Sequence, residues 1–386
     1  MHTALSRISN GGIEVTYWDG DVKRYGPEKP WVGIHFRTES IAKKMRKNLD
    51  LAVGEGYMSG EIEVTGDLAD LSRLGEANLP ELKKTLAIPR ARKKSGSKKA
   101  EFKDVQHHYD LGNDFYKLWL DDSLTYSCAY FRTSRDSLEA AQRQKVEHIL
   151  RKLNLKRGQR MLDIGSGWGE LIIRAAKRYG VVAHGITLSK EQLSATKERI
   201  AKEGLTGKVT VELKHYEDLK GNGTYDRVVS VGMYEHVGQG HHARYMATVN
   251  RLLKPEGVSL LHTITQFEDR GMSSWTDKYI FPGGYIPTLE DTLKHQAEHG
   301  FHTVDVESLR RHYAKTLDEW ARRFEQHVDE VTKMYDTRFV RMWRLYLRSA
   351  YAGFAYGNLD LSQILFTKGL SDEVPMTREY MYRGKS

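Results

Sequence analysis

Met161-Leu162-Asp163-Ile164-Gly165-Ser166-Gly167-Trp168-Gly169 is the stretch from which the rest of the chain can be read. A short run suited to a buried strand passes into three glycines at alternate positions, and an amphipathic segment follows through Tyr179. Strand, glycine turn and helix in that order bring backbone close to a ligand at the carboxyl edge of an open α/β sheet, where such sheets bind cofactors. The ligand is narrowed by what is missing. A dinucleotide fingerprint needs G-x-G-x-x-G and an acid about 20 residues further on for the ribose. Position 170 is Glu instead, and the second strand runs out through Gly185-Ile186-Thr187-Leu188-Ser189 without an acid, which disfavours NAD.

Outward from that turn, segments of strand and helix character alternate from about residue 160 to 267, the pattern of a parallel sheet with crossovers. Strands are expected at 160–164, 181–187, 209–213, 225–231 and 258–265. Beyond them come a Gly/Pro-rich loop at 281–287, a helix from about Leu289, a strand near Val304, two long helices between Tyr313 and Tyr356, and a strand near Ile364. Lys254-Pro255-Glu256-Gly257, ahead of the fifth strand, resembles a turn common in class I methyltransferases. A compact G-x-G-x-G without a Walker lysine suits a ligand that carries adenosine but no phosphates, so the site reads as one for S-adenosylmethionine.

Towards the N-terminus the pattern predicts a small α+β domain over residues 1–82. It has extended runs at 13–18 and 31–36, an amphipathic stretch near 41–49 and a helix near 68–74. Residues 83–103 lose periodicity and gather Lys83, Lys84, Arg90, Arg92, Lys93, Lys94, Lys98, Lys99 and Lys103 around Pro89 and Ser95-Gly96-Ser97. That composition predicts a solvated linker able to meet anionic phospholipid, with a catalytic domain over 104–386.

Composition sets the outer bounds. Sixty Lys and Arg against 51 Asp and Glu leave a formal charge of +9, which favours a polyanionic partner such as nucleic acid or an anionic bilayer. Cys128 is the only cysteine, so no internal disulfide can form, and the first 20 residues lack the apolar run of a signal peptide. A cytoplasmic protein is expected. No window approaches the roughly 18 to 20 apolar residues that span a bilayer, so contact with the inner face of the membrane would be peripheral.

Further stretches go beyond the generic fold. They are His107-His108-Tyr109-Asp110-Leu111-Gly112-Asn113-Asp114-Phe115-Tyr116, Leu124-Thr125-Tyr126-Ser127-Cys128-Ala129-Tyr130-Phe131, Gly185-Ile186-Thr187-Leu188-Ser189-Lys190-Glu191-Gln192, Val231-Gly232-Met233-Tyr234-Glu235-His236-Val237-Gly238 and Lys278-Tyr279-Ile280-Phe281-Pro282. Over roughly residues 100 to 370 the chain resembles the family of cyclopropane-fatty-acyl-phospholipid synthases and mycolic acid cyclopropane synthases. The small N-terminal domain and basic segment resemble the longer, phospholipid-acting branch. The resemblance implies a class I S-adenosylmethionine-dependent methyltransferase fold, Rossmann-like, with a seven-stranded doubly wound sheet. It implies a homodimer, with the N-terminal domain serving lipid binding or assembly, and a reaction in which the cis double bond of an acyl chain takes the sulfonium methyl and loses a proton to close a ring.

The same resemblance implies that the base is a bound bicarbonate ion, held by Cys128, Glu235, His262, Tyr313 and the backbone at Ile264. For S-adenosylmethionine it points to Tyr126, Ser127, Gly165, Ser166, Gly167, Thr187, Leu188, Gln192, Tyr216 and Glu217; no metal is expected. Tyr216 stands where many relatives have Trp, which keeps a ring for adenine. Tyr351 stands where some relatives have Cys, so a cysteine nucleophile there is impossible in this chain.

The basic charge makes an RNA or DNA methyltransferase the natural rival. Enzymes that methylate exocyclic base amines commonly carry an Asn/Asp-Pro-Pro-aromatic motif after the fourth strand. This chain has Met233-Tyr234-Glu235-His236 there, so no nucleic-acid partner is expected. A lipid-binding protein without turnover is the other alternative, disfavoured because every pocket residue that the resemblance names is present.

Overall fold

The computed structural model describes residues 2–84, 86–87 and 111–382, which divide into two compact units. Of the expected linker 83–103, residues 85 and 88–103 lie outside the described residues, as does the motif at 107–110, while Lys83 ends the helix Leu79–Lys83.

One unit, residues 93–269, 283–312 and 360–386, holds the glycine turn. Its sheet runs β10-β11-β9-β8-β5-β6-β7, with β5 Arg160–Ile164, β6 Val182–Thr187, β7 Val209–Leu213, β8 Tyr225–Val231, β9 Leu253–Gln266, β10 Phe301–Ser308 and β11 Leu359–Lys368. Pairings from β7 through β9 are parallel and β10 meets β11 antiparallel. This is the seven-stranded doubly wound sheet that the family resemblance implies. Met161, Leu162 and Ile164 in β5 are all buried, because helices cover both faces. Leu171, Ile172, Ala175 and Ala176 pack the helix Glu170–Tyr179 into one apolar cluster, while Tyr245, Met246 and Val249 of the helix His242–Leu252 belong to the other. The chain leaves β5 towards β6 and β7 and later returns to lay β8 on the opposite side of β5. The order therefore reverses between β5 and β8, the place where open sheets form a ligand crevice.

The other unit has a four-stranded sheet, β2-β1-β3-β4, from β1 Ile13–Thr16, β2 Val22–Tyr25, β3 Val32–Phe36 and β4 Ile62–Thr65. Ile13, Val15, Ile34, Phe36, Ile41, Met45 and Ile62 fill its core. The expected boundary near residue 83 does not delimit this unit, because residues 270–282 and 313–359 join it. Gly54, in the helix Leu49–Ser59, explains part of that assembly. A Cβ there would stand 2.1 Å from the Trp275 ring, so only glycine lets the indole lie against the helix. Trp275 Nε1 also donates to Met58 Sδ at 3.2 Å, and Lys278 pairs with Glu55 at 2.6 Å. From the long helix Thr337–Ala355, Arg341 donates to the Tyr57 carbonyl and pairs with Glu63 at 3.1 Å. The two long helices expected there are Arg310–Gln326 and Thr337–Ala355, with the short helix Val328–Met334 between them.

Candidate active site

The crevice is shaped by backbone first. Gly165 has φ +87°, and a Cβ on it would lie 2.9 Å from the Met233 side chain; Gly167 has φ +53° with open space where a Cβ would stand. The backbone N–H groups of Gly165 and Ser166 both donate to the Ile186 carbonyl, at 3.0 and 2.9 Å, which ties the turn to β6. At the end of β6, Thr187 Oγ1 donates to Gln192 Oε1 at 2.7 Å, and Ser189 caps the helix Lys190–Lys202 by accepting from the Gln192 N–H. After β7, His215 accepts from the backbone N–H of Glu217 and turns the chain so that Tyr216 is buried.

These elements enclose about 1100 Å³ of empty space, part of it continuous with solvent. Tyr126, Ser127, Gly165, Ser166, Gly167, Thr187, Leu188, Gln192 and Tyr216 line it. Glu217, also expected there, is not on its wall; its carboxylate accepts from the Tyr216 hydroxyl and from Arg244, each at 3.4 Å. Lys145, Asp163, Trp168 and His236 line the cleft without having been singled out from sequence. Asp163 lies in β5, which runs into the glycine turn, and its place two residues before Gly165 was the available signal. Nothing local marks Lys145 as buried.

Electrostatics favours a cationic ligand beside Asp163. Its Oδ1 is buried with no hydrogen-bond partner, and burial pushes the carboxyl up to about 7 against the pull of Lys145. A lone buried carboxylate oxygen beside an open glycine cradle fits S-adenosylmethionine, which carries a sulfonium and an ammonium. Burial also pushes His236 down to about 4, so a neutral imidazole faces the cleft at neutral pH.

The second expected group is only partly brought together. Glu235 follows β8 in the 3-10 turn Tyr234–His236, and its Oε1 accepts from the Ile264 N–H of β9 at 2.6 Å. Its Oε2 is buried without a partner, and burial raises the carboxyl to about 7 while the Ile264 N–H opposes that rise. His262 lies two residues before Ile264 on the same strand, so the two share a face. With the Gln363 amide nitrogen 3.1 Å from His262 Nδ1, that ring nitrogen accepts and the proton belongs on Nε2, which is buried without a partner. Burial holds this imidazole neutral, well below its ordinary value. The neutral N–H and the protonatable Oε2 are groups that suit a small oxyanion. The Ile264 N–H, however, is already taken by Glu235. Cys128 is buried in the same unit, with Sγ 3.2 Å from the Ala129 carbonyl. Tyr313 falls in the other unit, its ring against Phe354 and Trp320.

Residues 96–364 match the family described as mycolic acid cyclopropane synthetase, and residues 1–77 match a domain of unknown function. The chain is 36% identical over 384 residues to a "Probable fatty acid methyltransferase" of Pseudomonas putida, covering 96% of each protein. It is 39% identical over 354 residues to the "Cyclopropane-fatty-acyl-phospholipid synthase" of Escherichia coli K12, covering 89% of this chain and 90% of that one. Among solved structures, mycolic acid cyclopropane synthase CmaA1 complexed with SAH and CTAB superposes with a TM-score of 0.66 at 34% identity, covering 69% of this chain and 98% of that chain.

Proposed function

The chain belongs to the mycolic acid cyclopropane synthetase family of S-adenosylmethionine-dependent enzymes, and from that premise we propose that it cyclopropanates unsaturated phospholipid acyl chains. S-adenosylmethionine, when bound, supplies an electrophilic methyl carbon. The residues of the cleft must then hold the donor and keep water away while the alkene π electrons form the new carbon–carbon bond and the methyl–sulfur bond breaks, its electron pair staying on the sulfur of the departing thioether. The product is a methylated carbocation on the lipid, and loss of one proton from the added carbon lets the C–H electrons close the ring. Bicarbonate held by Glu235, His262 and Cys128 would supply the proton acceptor, with the Ile264 N–H holding Glu235 in place. Glu235 and His262 act by orienting that acceptor and relaying its proton, since one can gain or lose a proton near pH 7 and the other presents an N–H.

The observation that carries this reading is the pair of buried, unpartnered atoms, Glu235 Oε2 and His262 Nε2. Two such atoms in native protein call for a ligand or a proton carrier. Among the described residues no helix is long and apolar enough to cross a membrane. The lipid would be met by peripheral contact of the basic 83–103 segment at the inner face of the membrane, with the protein working as a homodimer.

The Pseudomonas putida relative favours a second outcome from the same carbocation, a methylated fatty acid. Incubation with S-adenosylmethionine and vesicles of monounsaturated phospholipid, followed by mass and proton NMR analysis of the acyl chains, separates the outcomes. Cyclopropanation adds one CH2, removes the alkene and introduces upfield ring protons. A gain of carbon without ring protons points to methylation, and unchanged acyl chains refute lipid modification.

A further inference from the structure

What His262 can do depends on where its single ring proton sits, and its neighbours across the sheet decide that. β11 lies between β10 and β9. In the register of β10 and β11, Glu307 stands opposite Gln363, so their side chains share a face. On that face the Gln363 amide nitrogen reaches His262 Nδ1 on β9 at 3.1 Å. Glu307, Gln363 and His262 thus form one polar rung across three strands, and both Gln363 and His262 are 0% exposed. The helix Leu138–Lys152 closes the outer end of the rung. His148 Nε2 lies 2.7 Å from Glu307 Oε2, Lys152 Nζ donates to the same oxygen at 2.6 Å, and Lys152 also stands 3.6 Å from Asp305. The helix claims the carboxylate, and among the described residues Glu307 makes no hydrogen bond to His262.

That order of groups has a chemical consequence. A carboxylate placed directly on Nδ1 would draw the ring proton there and leave Nε2 a basic lone pair, the arrangement of a general base. An amide NH2 in the same place does the reverse: it occupies the Nδ1 lone pair and leaves the proton on Nε2. Burial, helped by the Lys145 and Lys152 ammonium groups, keeps the ring neutral against the pull of Glu307, so the partner of Nδ1 decides where its one proton goes. We infer that Gln363 is a positioning residue, an amide spacer between Glu307 and His262 that makes His262 a hydrogen-bond donor towards the reacting group instead of a base. This role rests on the reading of His262 as a bicarbonate contact, and it leaves proton uptake to the anion and Glu235.

Two variants test the spacer. Gln363→Glu keeps the shape and puts a carboxylate on the imidazole, whereas Gln363→Met removes both hydrogen-bonding groups at similar volume. The full chain is isotope-labelled at histidine nitrogen, and the His262 ring signals are identified by their loss in His262→Gln. Around neutral pH the unaltered protein should show the neutral Nε2–H form by NMR. Gln363→Glu should move the proton to Nδ1 or create an imidazolium, and Gln363→Met should show both neutral forms. With S-adenosylmethionine, unsaturated phospholipid vesicles and limiting bicarbonate, Gln363→Glu should lower kcat/KM for bicarbonate on the order of 10- to 100-fold, as expected for loss of a hydrogen bond to a charged group. Its affinity for S-adenosylhomocysteine, measured by calorimetry, should stay within about twofold, which also reports that the variant is folded. An Nδ1–H form in the unaltered chain, or a His262 spectrum that neither variant changes, would overturn the inference. So would an unchanged response to bicarbonate in Gln363→Glu. If turnover of the unaltered chain ignores bicarbonate, the proposed base fails, and the ring spectrum alone then upholds or overturns the amide spacer.

Discussion

Replacing Glu235 by Gln should make stability less sensitive to pH. The side chain is fully buried, its ordinary value of 4.5 is raised to about 7 by burial, and its Oε2 has no partner. A raised acid is tolerated by the fold only when protonated. Its contribution is therefore complete below pH 4.5 and is lost as pH climbs through about 7, when the buried charge must form. From 4.5 to about 7, at 1.36 kcal/mol per pH unit, that loss amounts to roughly 3 kcal/mol. Gln keeps an oxygen for the Ile264 N–H and cannot ionise, so Glu235→Gln should gain on the unaltered protein by most of that amount between pH 5 and pH 8. Asp163 also titrates high, but it is common to both proteins and cancels in the difference. Hydrogen exchange of the β8 and β9 amides at rising urea, at both pH values, reads the quantity directly. A stability gap that is the same at pH 5 and pH 8 would refute the reasoning, since Glu235 would then not be ionising inside the fold over that range.

Other outcomes can be checked separately. Glu235→Gln should lower turnover by orders of magnitude while donor affinity measured by titration stays nearly unchanged; turnover equal to the unaltered enzyme removes Glu235 from the reaction. Depleting carbonate from the assay should slow product formation, and adding it back should restore the rate; indifference to carbonate would sink the proposed base. Gly54→Ala should destabilise its unit by about 1–3 kcal/mol, because the new Cβ meets the Trp275 ring at 2.1 Å; an unchanged thermal midpoint would show that the indole moves freely. Neutralising Lys93, Lys94, Lys98 and Lys99 should weaken binding to anionic vesicles at low salt in a sedimentation assay; unchanged binding returns that segment to a plain tether.

The strands nearest the cofactor were legible because each is a short apolar run ended by a turn signal. The sequence reading of β5, β7 and β8 agrees with the structure to the residue, and β6 differs by one at its start. Two strands of the smaller sheet escaped notice. In β2, Val-Lys-Arg-Tyr, only Tyr25 is buried, so no alternation marks it; in β4, Ile62 alone is fully buried, with the rest partly or wholly exposed. The membership of residues 270–282 and 313–359 in that unit was beyond reach, since it depends on a missing side chain at Gly54 facing an indole more than two hundred residues away. The glycine turn and most of its surrounding cleft were readable from motifs. Lys145 was not, because burial of a basic residue in an amphipathic helix depends on what packs over it and leaves no mark in the spacing.

The seat of Trp275 against Gly54 bears on how this protein can be cut. A chain begun at residue 104 would keep the glycine turn and the whole large sheet, yet would carry a bare indole, an Arg341 stripped of Glu63 and the Tyr57 carbonyl, and an uncovered face of the helix Thr337–Ala355. Such a fragment would be prone to self-association. The first ninety residues thus behave less as a removable accessory than as half of a joint, and trimming them is a poor route to a minimal enzyme.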